Sequence, residues 1–570
     1  MISTPELPGL RFQTIGEQPA PSPLRSDVAG FIGRTRRGPV GHAVRVQGLR
    51  DYESLFGGLD RDKPFPYSIR GYFENGGQIA HVVRVAPDDV RYACVTWVIG
   101  TQDEEGKWDQ DFPTAGRFRA AKYLIHASSP GSWAAGLQVT INYDVNGPGG
   151  KPTLSLTIVC PGERSERIDG LHPGETQPGK TLEDQIASRS QLIRIEPRGE
   201  AKDSLTDSKG RPLVDEKGVI RLDADGNQRI PLPVPPGPLS RVWDLTLSLS
   251  DSDGKKPLPE EDVASQYNRA IVSLGDQTEV ALLATPSIYH DITDPIALQW
   301  VLQTIVRDAS EKQDRFVLID PPPPHGESGV ESMASGELLD YVNQLRAIIP
   351  NPIHRRAAAV YHPWLRVNDP LGDAAEPQKT IPPSGHVAGV MSRVDRERGA
   401  HYTPANVSVL AAVDVETQLE RNAGGPLNEA GVNLIRCVPG KGLMVWGGRT
   451  LDLSRQGRFV AHRRFIHRLI RAIRRVAEPV VFDINGPELW LILVRALSSV
   501  LLEAFRGGAL HGDRPEEAFC VRCDDQTSPM TERELGRVFC EIDLALTAPM
   551  EFITIRVSVS RQGQVEVYDA

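Results

Sequence analysis

From Val28 onward the chain alternates short apolar runs with amphipathic stretches. VAGFI (28–32) and AVRV (43–46) read as strands, DYESLF (51–56) and YSIRGYFE (67–74) as helical turns, and IAHVVRV (79–85) as a buried strand. Asn75, Gly76 and Gly77 supply the left-handed backbone that ends a helix. Farther on come VALLATP (280–286), a helix from Pro295 with Leu298, Val301, Leu302, Ile305 and Val306 on one side, RFVLID (315–320), a helix from Ser335, and AAAVY (357–361). This alternation predicts an α/β fold with a largely parallel sheet flanked by helices.

Two regions depart from that pattern. Between about 91 and 262 the composition shifts to Gly, Pro, Asp, Lys and Thr, and runs such as LQVTINYDV, PTLSLTIV and DLTLSLS have the period of strands, which predicts a β-rich insertion. Within it, residues 207–238 have the polar turns and prolines of a solvent-facing excursion. Asp223, Asp225 and Asn227 imitate part of a calcium loop, but Gly226 comes too early for an EF-hand. At the start, Pro5, Pro8, Pro19, Pro21 and Pro23 predict an extended arm.

From about Leu427 a second αβ unit is expected, with a helix over Phe459–Val476, VVFDI, a helix from Pro487, and AFCVRC. The chain closes on EFITIRVSVSRQGQVEVYDA, read as an alternating strand. Ile553, Ile555, Val557 and Val559 lie on one face, and Phe552, Thr554, Arg556, Ser558 and Ser560 on the other. No later element covers this strand, so it is expected to leave its own unit and pair with a neighbouring copy.

At 570 residues, three or four domains are expected. Lys and Arg number 64 against 74 Asp and Glu, and a net charge of -10 gives no global attraction for nucleic acid or anionic membranes. Leu489–Phe505 is apolar, but Arg495 and Glu503 interrupt it, so it reads as a buried helix and no stable membrane insertion is expected. The opening MISTPELPGLRF lacks the basic and apolar regions of a secretory signal, so cytoplasmic assembly is expected. Six cysteines are too few for a disulfide framework in a chain this long. Cys520, Cys523, Cys540 and His511 could supply zinc ligands, yet Cys520 and Cys523 fall on opposite sides of a strand, which favours structural roles and no cofactor.

One motif suggests an enzyme. Gly174–Thr181, GETQPGKT, matches the phosphate-binding loop of P-loop NTPases, in which backbone amides and a Lys hold phosphates and Thr meets magnesium; Asp320 could then position the metal. The context opposes it. IDGLHP separates the loop from the nearest apolar run, and Pro178 removes an amide that should point at phosphate. Asp320 then becomes a turn residue before Pro321–Pro324.

Several segments, in colinear order, resemble the contractile tail sheath family of phages, phage-tail-like bacteriocins and extracellular contractile injection systems. They are SDVAGFIGRTRRGPVGHAVRVQGLRDYESLFGG from Ser26, YSIRGYFENGGQIAHVVRV from Tyr67, AVYHPWLRVNDP from Ala359, IPPSGHVAGVMSRVDRERGAHYTPAN from Ile381, LNEAGVNLIRCVPGKGLMVWGGRTL from Leu427 and VVFDINGPELW from Val480. GAHYTPAN departs from the bulkier, Trp-containing version usual in relatives. The resemblance implies a non-enzymatic sheath subunit. It would form a helical homo-polymer around an inner tube protein, between a baseplate and a terminator or cap protein, assembled in the cytoplasm into a particle open to release. The expected organisation is an arm (1–25), a core αβ domain (26–90 and 263–426), an outward β-rich insertion (91–262), a C-terminal αβ domain (427–548) and a strand arm (549–570). Against the acidic balance, RFVAHRRFIHRLIRAIRR (458–475) is a basic helix. Its Arg464, Arg468, Arg471 and Arg475 form a face expected to be solvated or to touch an acidic tube or neighbour.

Overall fold

The computed structural model describes residues 25–86, 91–98, 101–102, 108–109, 122–144, 153–160, 165–173, 177–197, 240–249, 262–324, 335–417, 419, 424–480, 484–546, 553–559 and 565–569. The chain begins with β1 (Ala29–Arg34), β2 (Val44–Val46), α1 (Leu49–Phe56), α2 (Pro64–Glu74) and β3 (Ala80–Val85). Next come β4 (Cys94–Val98), β5 (Thr101–Gln102), β6 (Trp108–Asp109), β7 (Lys122–Ala127), β8 (Gln138–Asp144), β9 (Thr153–Val159), β10 (Glu166–Leu171), α3 (Leu182–Arg189), β11 (Ile193–Pro197) and β12 (Ser240–Thr246). The α/β pattern resumes with α4 (Val263–Gly275), β13 (Leu282–Ala284), α5 (Ile288–Asp291), α6 (Pro295–Lys312), β14 (Phe316–Ile319), α7 (Ser335–Ile348), α8 (Pro352–Arg355) and β15 (Ala358–His362). It continues through β16 (Leu365–Asn368), β17 (Gln378–Ile381), α9 (Ser384–Glu397), β18 (Val407–Ser408), β19 (Asp414–Val415), α10 (Gly424–Glu429), β20 (Val432–Val438) and β21 (Gly442–Trp446). The last part holds α11 (Val460–Ala477), α12 (Pro487–Arg506), α13 (Pro515–Ala518), β22 (Phe519–Arg522), α14 (Met530–Glu534), β23 (Val538–Leu544), β24 (Ile553–Val559) and β25 (Val565–Asp569).

Among the described residues a nine-stranded sheet runs β18-β21-β20-β15-β14-β13-β1-β3-β2. Its interior pairs, from β20 to β3, are all parallel, and antiparallel pairs close both ends. Helices must therefore cover both faces, and successive strand residues point to opposite ones. Ile32 and Val83 join a core with Tyr267, Ile271, Val301, Ile305 and Val342 of α4, α6 and α7. Phe31 and Val82 join Phe65, Ile69 and Tyr72 of α2 and Val387, Val390 and Met391 of α9 on the other side. The expected helix-flanked, largely parallel sheet is present. Helix starts follow their sequence signals: Asp262 caps α4 through Ser265 N, and Asp294 caps α6, whose first residue is Pro295. Helices α2 and α9 cross closely because three glycines permit it. A side chain at Gly71 would strike the His386 ring, and side chains at Gly385 and Gly389 would strike the Ser68 and Tyr72 carbonyls.

The insertion has its own core, in which Trp97, Tyr123, Leu137, Ile141, Tyr143, Leu156 and Ile193 are buried between sheets β10-β9-β8-β12 and β11-β7-β4. Burial alternates residue by residue along β8 and β9, as half-covered antiparallel strands require. Asp223, Asp225 and Asn227 lie outside the described residues. In the last unit, Phe465, Ile466, Leu469, Ile470 and Ile473 of α11 and Leu489, Leu493, Leu497 and Leu501 of α12 pack against Cys540, Ile542 and Leu544 of β23.

Three local expectations need correction. The unit expected from Leu427 opens later, because β20 pairs with β15 and β21 with β20, so the segment up to Trp446 completes the large sheet. The final run is two strands, β24 and β25, paired with each other. Nor does the strand leave its unit: β24 pairs with β23 in the same chain, Ile553, Ile555, Val557 and Val559 standing opposite Leu544, Ile542, Cys540 and Val538. Phe552 and residues 481–483 of VVFDI lie outside the described residues, and 478–480 form a 3-10 turn.

Candidate functional site

Helix α11 is amphipathic in an unusual sense, because its polar face is also interior. Arg464 is 4% exposed and Arg471 6%. The Arg464 guanidinium grips Asp395, in the last turn of α9, with both terminal nitrogens: Nη1 to Oδ1 at 2.8 Å and Nη2 to Oδ2 at 2.5 Å. Burial pushes the Asp395 carboxyl up, and Arg464 pulls against that shift. Arg471 donates to the Glu279 carbonyl at 3.3 Å, and burial pushes it down to about 10. Arg474 donates to the Lys312 carbonyl at the end of α6 at 2.6 Å and reaches Asp314 at 3.4 Å. Beside it, Arg315 donates to the Leu274 carbonyl near the end of α4 at 2.8 Å. Helix C-termini carry free carbonyls and partial negative charge, so a row of guanidiniums is their natural cover. His467 lies within this row and accepts from Arg463 Nε at 2.8 Å; burial first, then the surrounding arginines, hold its pKa well below the usual value.

The outward face expected for this helix is thus withdrawn at Arg464 and Arg471, which act as internal ties between the last unit and the sheet domain. Arg468 and Arg475 are half-buried. Periodicity identified the two faces, but sequence cannot distinguish a face meeting water from one meeting helix ends. Asp395 had no local signal, since its partner lies 69 residues away.

The same contact holds the root of the N-terminal segment. Arg464 Nη2 donates to the Ser26 carbonyl at 3.2 Å. The Asp27 carbonyl accepts from Tyr72 Oη of α2 and Ser392 Oγ of α9, each at 2.9 Å, and the Asp27 carboxylate pairs with Arg25 at 2.7 Å. Residues 25–27 are therefore clamped by α2, α9 and α11 together. Residues 1–24, the expected arm, lie outside the described residues.

A second joint ties the insertion to the sheet. Arg84, 3% exposed at the end of β3, donates to the Gly38 and Pro130 carbonyls, each at 2.8 Å. Burial pushes it down to about 10. Gly38 N donates to Ser129 Oγ at 2.9 Å, and the Arg37 guanidinium stands 5.7 Å from the centre of the Trp133 ring.

The remaining candidates lie elsewhere in the chain. Residues 174–176 of GETQPGKT lie outside the described residues. In the rest, Thr181 starts α3 with a capping box, and the Asp184 carboxylate accepts from Gly179 N at 2.9 Å, Thr181 N at 3.3 Å and Thr181 Oγ1 at 2.7 Å. A carboxylate thus already occupies two of the amides a phosphate would need. Asp320 is no mere turn residue. It accepts from Ser384 N at 2.8 Å and Ser384 Oγ at 2.5 Å, capping α9, whose own Pro383 offers no cap. Burial pushes Asp320 up to about 7. Cys520, Cys523, Cys540 and His511 form no metal-binding group among the described residues. No helix of the described residues is long and apolar enough to cross a membrane.

The described residues thus form units with separate cores, joined by buried polar ties. Residues 263–451 match the phage tail sheath protein central domain family. A tail sheath protein of Burkholderia phage BcepMu is 23% identical over 212 residues, which span 35% of this chain and 42% of that protein. Three solved structures cover nearly the whole chain. A sheath tail protein of Listeria innocua has a TM-score of 0.57 at 11% identity over 94% of this chain and 95% of its own. The helical sheath of the anti-feeding prophage in its contracted state scores 0.50 at 18% identity over 96% and 98%. The contracted sheath complex of the PVC extracellular contractile injection system scores 0.50 at 17% identity over 97% of each chain. These likenesses establish the fold. Its central third thus matches the tail sheath central domain, and the chain has the fold of these sheath proteins.

Proposed function

We propose that the chain is the structural sheath subunit of a contractile, phage-tail-like injection machine. Copies polymerise helically around an inner tube, from a baseplate to a terminator or cap protein, and the polymer contracts to drive the tube through a target envelope. The reading rests on a sheath central domain at 263–451 within a chain that follows the sheath fold from end to end. The baseplate and sheath complexes among its structural neighbours support the proposed partners in general.

In this reading no nucleotide is consumed. Contraction is a rigid-body change between two packings, with energy stored in the less stable one at assembly. Links that survive such a change are main-chain links, because β-augmentation joins chains without demanding particular side chains. Since β24 and β25 already pair within the chain, the outer edge of that sheet is where an extended segment of a neighbour, residues 1–24, would add. The clamp on residues 25–27 then passes tension on that segment to α9 and α11 together. Head-to-tail links of this kind propagate as open helices. The insertion faces outward, and the subunit assembles in the cytoplasm before the particle is released.

Co-expression with an inner tube protein, followed by negative-stain microscopy, tests the reading. Striated hollow cylinders are expected. Dispersed subunits with an ATPase activity abolished by Lys180→Ala would favour the P-loop alternative.

A further inference from the structure

Cys523 and Cys540 meet across two strands of the C-terminal sheet. In the register of β22 and β23, Phe519 faces Leu544, Cys520 faces Asp543 and Arg522 faces Glu541, so the next step sets Cys523 opposite Cys540. The backbone bond from Ala545 N to Ala518 O, 2.9 Å, makes 518/545 a hydrogen-bonded pair. Bonded and non-bonded pairs alternate along an antiparallel ladder, which makes 523/540 a non-bonded pair with α-carbons about 4.5 Å apart, within the range a disulfide spans. Both side chains pack on the same core, Cys540 being 3% exposed. Cys520, an odd number of residues away, is exposed on the opposite face.

We propose that Cys523 and Cys540 are a disulfide-competent pair that closes into an intrachain bond when the protein meets a small disulfide oxidant, stapling strand β22 to β23. The roles follow from exposure. Cys523, partly accessible, loses its proton to solvent and attacks one sulfur of the oxidant, forming a mixed disulfide and expelling one small thiolate. Cys540 then gives up its proton and attacks the Cys523 sulfur, expelling the second small thiolate; the protein loses two hydrogens and the oxidant becomes two thiols. The Cys540 thiol is hydrogen-bonded to Cys523 and buried, and both effects hold its pKa far above the usual thiol range, so it is the slower, resolving partner. A reducing cytosol keeps the pair open, and an oxidising exterior closes it.

The test is to incubate the full-length protein with oxidised glutathione, quench, unfold, count free thiols and map peptides without reduction. The count should fall from six to four, with one peptide joining the segments that hold Cys523 and Cys540. Cys520→Ser should leave this unchanged. Cys523→Ser should abolish the link, and Cys540→Ala should trap glutathione on Cys523; if Cys540→Ala does not fold, Cys523→Ser alone decides. Six free thiols after oxidation, a Cys520–Cys523 bond, or bonds only between copies through Cys437 or Cys520 would overturn the proposal.

Discussion

Two units are attached to the same sheet domain by buried arginines, in chemically different ways. At the insertion, Arg84 is held by two main-chain carbonyls. At the C-terminal unit, Arg464 is held by a carboxylate as well as a carbonyl, within a helix whose polar face covers helix ends. A guanidinium on carbonyls is a set of local hydrogen bonds, each worth about 0.5 to 1.5 kcal/mol net, or more where the donor is charged. A buried ion pair is different, because removing one partner strands the other charge and costs about 3 to 5 kcal/mol. The joint at the C-terminal unit therefore fixes that unit's orientation more firmly, and it is the one that also grips the root of the N-terminal segment.

The largest expected effect is accordingly at Asp395. Asp395→Ala should lower stability in urea unfolding by about 3 to 5 kcal/mol and loosen residues 25–27 in hydrogen exchange. Arg84→Ala should cost less, about 1 to 3 kcal/mol, and should raise exchange at Gly38 and around residue 130 while leaving α11 protected. If both variants lose the same stability and expose the same amides, the two joints are not distinct.

Asp320 and the buried histidines give the molecule opposite pH dependences. Asp320, pushed up to about 7 from an ordinary carboxylate value of ~3.9, contributes stability that is present below pH ~4 and lost as pH rises toward 7. His362 and His386, pushed down to about 4 by burial, contribute stability that is present above their ordinary value of ~6.5 and lost as pH falls toward 4. Asp320→Asn can still accept from Ser384 N. Relative to the parent it should therefore gain stability as pH rises from 4 to 7, by up to about 4 kcal/mol. Equal pH profiles of parent and variant in thermal melts would refute the assignment. Smallest of all, Arg468→Glu on the half-buried side of α11 should change stability by less than about 1 kcal/mol, so any larger loss of tube association would mark Arg468 as a true surface contact.

The sequence revealed whatever depends on local period. Strands β1, β3 and β14 and helix α6 with its start at Pro295 were each legible, because burial on one or both faces and a proline at the first helical position leave their mark in adjacent positions. What depends on partners far along the chain was not. Arg464 and Asp395, Asp320 and Ser384, and Arg84 and Pro130 meet through the topology of the sheet, and nothing near any of them announces the other. The end of the chain reads as one strand for a different reason: Ile553–Val559 and Val565–Asp569 share one alternating pattern, and the glycine of RQGQ between them is the only turn signal. The boundary at Leu427 failed because β20 looks like the start of a new unit and is distinguished only by pairing with β15.

The claim that α11 is an internal joint, with Arg464 and Asp395 as its charged centre, is tested most directly by a double-mutant cycle with the apolar replacements Arg464→Met and Asp395→Leu, read by urea unfolding. Each single replacement should cost about 3 to 5 kcal/mol, and the double variant far less than their sum, because no unpaired charge is left inside. Small and additive losses would contradict the account and return Arg464 to the surface.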